Sequence, residues 1–261
     1  MNTQAALIDL NCDMGESYGR FQIGNDEAIF PYISSSNIAC GFHGGDPLHI
    51  ENTIRLALKH RVRIGAHPSY PDLSGFGRRK MHLPAAELEA VVKYQVAALK
   101  GMVESHGATL AYVKPHGALY NTAADEEETC RLIISAIQAL DPRLALMGLA
   151  GSTMEQVARQ QGIEFIAEAF ADRTYTPQGR LLPRSQPHAV IYEPEQAVKQ
   201  VLDIALRQHV LSAGGLMVPV HAQSICIHGD NPAAVPILQA LHAAFETHHI
   251  QLINQRDAAR G

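Results

Sequence analysis

The sequence predicts an α/β protein, a seven-stranded (β/α) barrel of the TIM-barrel type formed by residues 1–261 as one domain. Three observations predict it. Short β-type runs alternate with helix-period segments along the whole chain. Strict alternation of this kind favours a parallel sheet, because parallel strands need crossover connections that helices supply. Histidines, carboxylates and a lysine recur where the strand candidates end, and that is where α/β barrels place their working groups.

Taken in order, the strand candidates are ALIDLNC, SNIAC, RIGAH, TLAYVK, LALMGLA, EFIAEAF and SICIHG. Helices are expected over Pro47–His60, Pro84–His106, Glu126–Leu140, Ser152–Gln161, Pro194–His209 and Pro232–His249. The helix at Pro84 is the clearest: Leu88, Val91, Val92, Val96, Leu99, Met102 and Val103 form one apolar stripe and Gly107 stops it. Asp46 is placed to cap the helix opening at Pro47, and Ser152 with Glu155 has the spacing of a capping box. Val210 to Gln223, with Gly214, Gly215 and Pro219, breaks the alternation and is expected to be a loop or hairpin insertion.

The composition, 46% hydrophobic and 18% charged, is that of an ordinary globular protein with enough apolar mass for a sizeable core. A net charge of −5 with no basic stripe argues against nucleic acid as a partner. No apolar run approaches a membrane span, and the first residues lack the pattern of a signal peptide, so the expected location is cytoplasmic. Four cysteines without CxxC spacing fit free thiols in a reducing compartment.

Alternate residues of a strand share a face, so Asp9, Asn11 and Asp13 point one way and Ile8, Leu10 and Cys12 the other. The same rule groups Tyr112, Lys114 and His116, and Ser224, Cys226, His228 and Asp230. With Glu16, His43, His67 and Glu168 these are the strand-end candidates. Any one histidine alone is more often structural, as His49, His60, His209, His242, His248 and His249 on helices are expected to be. The dipeptide His-Gly ends a helix at His106 but ends a strand at His43, His116 and His228, where glycine permits a sharp turn and close approach of a ligand. Asp13, His43 and His67, joined by His228, form a reasonable divalent-metal set, although their spacing is not diagnostic. Arg78, Arg79, Arg173, Arg180 and Arg184 lie in two loops and could clamp a carboxylate or phosphate. Gly44 and Gly45 before a helix offer an anion site, and no GxxxxGK[ST] loop is present.

Strung together, DLNCDMGE, NIACGFHGGDP, IGAHPSYPD, GFGRR, VKPHGALYN, EAFADRTY and SICIHGDNP resemble the LamB/YcsF family, from about Ile8 to about Phe245 and in order. Members of that family are A subunits of bacterial ATP-dependent 5-oxoprolinase. The resemblance implies cleavage of the 5-oxo-L-proline lactam to L-glutamate, ATP as co-substrate, and subunits B and C as partners. It also implies a barrel related to those of polysaccharide deacetylases.

Within that frame Asp13 is the expected general base. His43, His67, His116 and His228 would divide proton transfer and ligand or metal positioning, and Lys114 with Mg²⁺ would stabilise the transferring phosphoryl. Substrate contacts are expected from Asn11, Glu16, Glu168, Arg173, Arg184 and Asp230. Glu168 would meet the lactam N–H, and Arg173 or Arg184 the carboxylate. The Asp13–His43–His67 set would also suit another divalent metal. Two other readings fit the same residues: a metal-dependent deacetylase, in which the Asp and His cluster activates water directly, and a non-catalytic ligand-binding or regulatory subunit.

Overall fold

The computed structural model describes residues 6–253. Seven parallel strands close on themselves: β1 (Ala6–Met14), β2 (Ser35–Ala39), β3 (Arg63–His67), β4 (Tyr112–Val113), β5 (Ala145–Leu149), β6 (Phe165–Phe170) and, after the hairpin strands β7 (His209–Leu211) and β8 (Met217–Pro219), β9 (Ser224–Ile227). Pairing of β9 with both β6 and β1 completes the barrel. A last short strand, β10 (Ile250–Leu252), adds in parallel to the first residues of β1. Closure removes the free sheet edges that would otherwise invite pairing with another chain.

Helices α1 (Asp26–Ile29), α2 (Pro47–His60), α3 (Ala85–Ser105), α4 (Gly117–Asp125), α5 (Glu127–Leu140), α6 (Thr153–Gln161), α7 (Pro194–Arg207) and α8 (Ala234–His248) follow the strands. Among the described residues no helix is long and apolar enough to cross a membrane. The expected caps form: Asp46 accepts from the Leu48 and His49 amides, and Ser152 accepts from that of Glu155 at 3.4 Å. The Glu155 carboxylate returns to Gly151 N–H rather than to Ser152, one residue short of a capping box.

Alternation along the strands separates two interiors. Ile8, Leu10 and Cys12 join the main apolar core between strands and helices. Asp9, Asn11 and Asp13 point into the barrel, where the Asp9 carboxylate accepts hydroxyls from Ser34, Ser35 and Ser224. The opposite wall of the barrel interior is apolar, a small cluster of Tyr112, Ala145, Met147 and Ile166. Gly65 makes room for it, since a Cβ there would stand 2.1 Å from the Tyr112 ring.

Three local expectations are corrected. Residues 117–125, left unassigned by the sequence pattern, form α4. Ala118, Leu119, Tyr120, Thr122, Ala123 and Ala124 of that helix are all buried, so it lacks the one-sided stripe that marks a surface helix. His209 begins β7 rather than ending a helix, because Gln208 adopts a left-handed cap that terminates α7. His249 is the left-handed cap after α8, not a helical residue. The segment Val210 to Gln223 carries the β7–β8 hairpin.

Candidate active site

The carboxyl ends of the strands surround a cavity of about 520 Å³. Lys114, just past β4, lies at its floor. Its Nζ is 3.0 Å from Asp13 Oδ1, 3.2 Å from Asn11 Oδ1, 3.1 Å from Cys226 Sγ and 2.7 Å from Glu168 Oε1. The last contact is an ion pair. Burial alone would push the Lys114 ammonium down, but the charges of Asp13 and Glu168 reverse that and hold it above the ordinary lysine range. Burial would likewise raise Asp13, yet His67 and Lys114 keep its carboxyl well below the usual carboxylate range. A buried cation between two carboxylates therefore remains charged. Asn37 Nδ2 donates to both Asn11 and Asp13, fixing the orientation of the two.

Beside this cluster, four buried groups converge from the ends of β1 to β4. His67 Nδ1 donates to the Lys114 carbonyl at 2.7 Å, which leaves Nε2 facing His116 Nδ1 at 3.0 Å and Asp13 Oδ1 at 3.3 Å. His116 Nε2 donates to the Phe76 carbonyl at 2.8 Å. His43 stacks on His116, with ring centroids 3.7 Å apart and planes 4° from parallel, and its Nε2 is 3.1 Å from Glu16 Oε1. The Phe76 ring stands edge-on to both histidines. Gly77, next in the GFGRR motif, has φ +63°, and a Cβ there would lie 2.8 Å from His116 and 2.9 Å from His43. Only glycine allows this loop to close over the pair without displacing them.

On the far wall, His228 Nδ1 bonds Asp172 Oδ1 at 2.8 Å, and Asn231 donates to the other carboxylate oxygen. Since a carboxylate can only accept, His228 carries its proton on Nδ1 and leaves Nε2 free, and the residue lines the cavity. At the mouth, Arg78 and Arg184 share Asp230, and both arginines line the cavity.

The structure thus brings Asp13, His43, His67, Lys114, His116 and His228 together, as expected from the strand ends. The other expected residues divide. Asn11 lies deeper in the barrel, bonded to Asn37, Ser224 and Lys114. Glu16 joins the histidine group. Glu168 is fully buried, bound by Lys114 and by the Tyr120 hydroxyl at 2.7 Å. Arg173 reaches the cavity but also braces its loop by donating to the carbonyls of Ala189 and Leu182. Burial, with Arg184 nearby, lowers Arg173 to about 10. Arg79 is held by Asp72 and Arg180 by Asp125. Three contributors were not singled out from the sequence: Asp172, Asn37 and Tyr120. Asp172 had a signal, since it follows the β6 strand end directly and stands within EAFADRTY.

A closed, seven-stranded parallel barrel with a charged, histidine-rich cavity at the carboxyl ends of its strands defines a (β/α)-barrel protein. More particularly, the chain belongs to the LamB/YcsF family, whose model matches residues 8–260. It is 48% identical over 253 residues to the A subunit of 5-oxoprolinase from Geobacillus thermodenitrificans, covering 97% of this chain and 98% of that one. It superposes on the lactam utilization protein of Thermus thermophilus with a TM-score of 0.89 at 44% identity, covering 95% of this chain and 99% of that one. A T48 deacetylase solved with substrate shares the fold alone, at a TM-score of 0.51 and 12% identity, over 98% of this chain and 92% of that one.

Proposed function

We propose that the chain is the A subunit of an ATP-dependent 5-oxoprolinase and that its barrel mouth opens the lactam of 5-oxo-L-proline to give L-glutamate. The observation that carries this is Lys114, a buried ammonium held between Asp13 and Glu168 at the floor of a cavity rimmed by arginines. The names of the relatives support the substrate and the multi-subunit setting.

A five-membered lactam is an unstrained, resonance-stabilised amide and a poor electrophile. Phosphorylation of its oxygen by ATP, with Mg²⁺ accompanying the nucleotide, would give an imidate-type phosphate that water can attack. Negative charge develops on the ADP oxygen as the phosphoryl group transfers, and Lys114 supplies a fixed positive group that needs no reorganisation. Water adds to the imidate carbon with the electron pair passing to the ring nitrogen, and the C–N bond then breaks to leave an acyl phosphate, whose hydrolysis releases phosphate and L-glutamate. Asp13, kept ionised by its neighbours, takes the proton from the attacking water. His228, with Nδ1–H committed to Asp172, has Nε2 free to take up a proton and deliver it to the ring nitrogen as the C–N bond breaks. At the mouth, Arg184 and Arg78 can exchange Asp230 for the carboxylate of 5-oxoproline. Subunits B and C complete the assembly in the cytoplasm, a reducing setting that fits four free thiols.

The test is an assay of the purified chain with 5-oxoproline and ATP, alone and with subunits B and C, measuring glutamate and phosphate together. Glutamate formed only with the full assembly, and lost when this chain is withheld, supports the reading. An assembly that makes glutamate equally well without this chain overturns it.

A further inference from the structure

We propose that Glu16, His43, His67 and His116 form a binding site for a divalent transition-metal ion, zinc in the first instance. The site is distinct from any Mg²⁺ that accompanies a nucleotide, and the proposal does not rest on the lactam reading. Four potential ligand atoms, one from each residue, lie within 4.8 Å of one another, and all four residues are buried.

The hydrogen bonds leave the imidazole pair with an unresolved contact. A carbonyl oxygen only accepts, so the bonds to Lys114 O and Phe76 O place protons on His67 Nδ1 and His116 Nε2. With both rings neutral, the remaining nitrogens, His67 Nε2 and His116 Nδ1, present lone pairs to each other at 3.0 Å. Two facing lone pairs repel unless a cation lies between them or one ring becomes an imidazolium. A metal uses these same lone pairs. Glu16 Oε1 lies 3.5 Å from His116 Nδ1 and 3.1 Å from His43 Nε2, and among the described residues His43 Nδ1 has no hydrogen-bond partner.

The spacing agrees with coordination. Zinc–nitrogen and zinc–oxygen bonds of about 2.0–2.1 Å place the ligand atoms of a tetrahedron about 3.3–3.4 Å apart. Three of the six separations, 3.0, 3.1 and 3.5 Å, bracket that value, and all six lie within 4.8 Å. Two of the imidazoles already donate their other nitrogen to a backbone carbonyl, the arrangement that fixes tautomer and ring orientation in metal-bound histidines. Three imidazoles and one carboxylate suit zinc and its first-row neighbours, whereas Mg²⁺ prefers an all-oxygen shell. Of the Asp13–His43–His67 set expected from the sequence, the geometry keeps the two histidines and adds Glu16 and His116. Asp13 then borders the ion through His67, 3.3 Å away. An ion here would tie together the ends of β1, β2, β3 and β4 beside the cavity.

Metal content of the full chain, grown with zinc and purified without chelators, should come to about one zinc per chain, the number one such tetrahedral site holds. Chelation should lower the melting temperature, and added zinc but not Mg²⁺ should restore it. Glu16→Gln and His116→Ala should lose uptake while their circular dichroism remains native. Anomalous diffraction at the zinc edge should place the ion among the four residues of the wild-type chain, a readout that needs no variant to fold. Absence of zinc uptake at micromolar concentration overturns the proposal, as does an anomalous peak elsewhere or uptake that both folded variants retain.

Discussion

Lys114 Nζ lies 3.0 Å from Asp13 Oδ1, with both side chains almost wholly removed from solvent and Glu168 closing the other side of the ammonium. Removing one member of a buried ion cluster leaves uncompensated charge, which typically costs about 3–5 kcal/mol. Lys114→Met should therefore lose stability of that order in urea unfolding as well as turnover. The double variant Lys114→Met/Glu168→Gln should recover part of the loss, because one stranded carboxylate is gone. Equal stability of the single variant and wild type would show that the cluster is not a coupled unit.

Asp172 orients His228, so Asp172→Asn should lower turnover by on the order of 10²–10⁴-fold if His228 handles a proton, and should alter the pH profile of kcat. The same carboxylate predicts acid sensitivity. Burial by itself would raise Asp172, but contacts from His228 and Asn231 outweigh it and hold the carboxyl below the ordinary range. A carboxyl depressed in the folded state contributes stability above its unfolded value of about 3.9 and loses it as pH falls through the folded value. Wild type should unfold at higher urea than Asp172→Asn at neutral pH, and the gap should narrow below about pH 4. A gap that stays constant into acid would contradict this account.

All four cysteines are buried, and burial pushes the Cys40 and Cys130 thiols up to about 12. Cys12 and Cys226 are raised by the same cause, Cys226 in spite of Lys114 beside it. Since the thiolate is the reactive form, a thiol reagent at mildly alkaline pH should label none of the four in the native protein and all four after unfolding. Rapid native labelling of Cys226 would mean that the cavity floor opens.

Much of the fold was legible because each β-type run is followed by a segment of helical period, and because alternation in β1 separates Asp9, Asn11 and Asp13 from Ile8, Leu10 and Cys12. The strand-end rule gathered Asp13, His43, His67, Lys114, His116 and His228, which the structure places at one end of the barrel. It could not distinguish side chains that face the cavity from those committed to neighbours. Glu168 is bound by Lys114 and Tyr120, and Asn11 lies a full alternation deeper in the barrel. Nor could linear spacing reveal which loops meet at the ends of neighbouring strands, such as Asp172 with His228, 56 residues apart, or His67 with His116, 49 apart. Helix α4 escaped because burial on several faces erases the periodic signal.

The most direct test is the rate of glutamate formation by the reconstituted three-subunit enzyme carrying Asp13→Asn in this chain, a substitution that keeps the shape and the Asn37 and Lys114 neighbours. If the barrel mouth performs the acid–base chemistry, turnover falls by on the order of 10²–10⁴-fold while the assembly still forms. Near-wild-type turnover from a folded, assembled Asp13→Asn enzyme would contradict it.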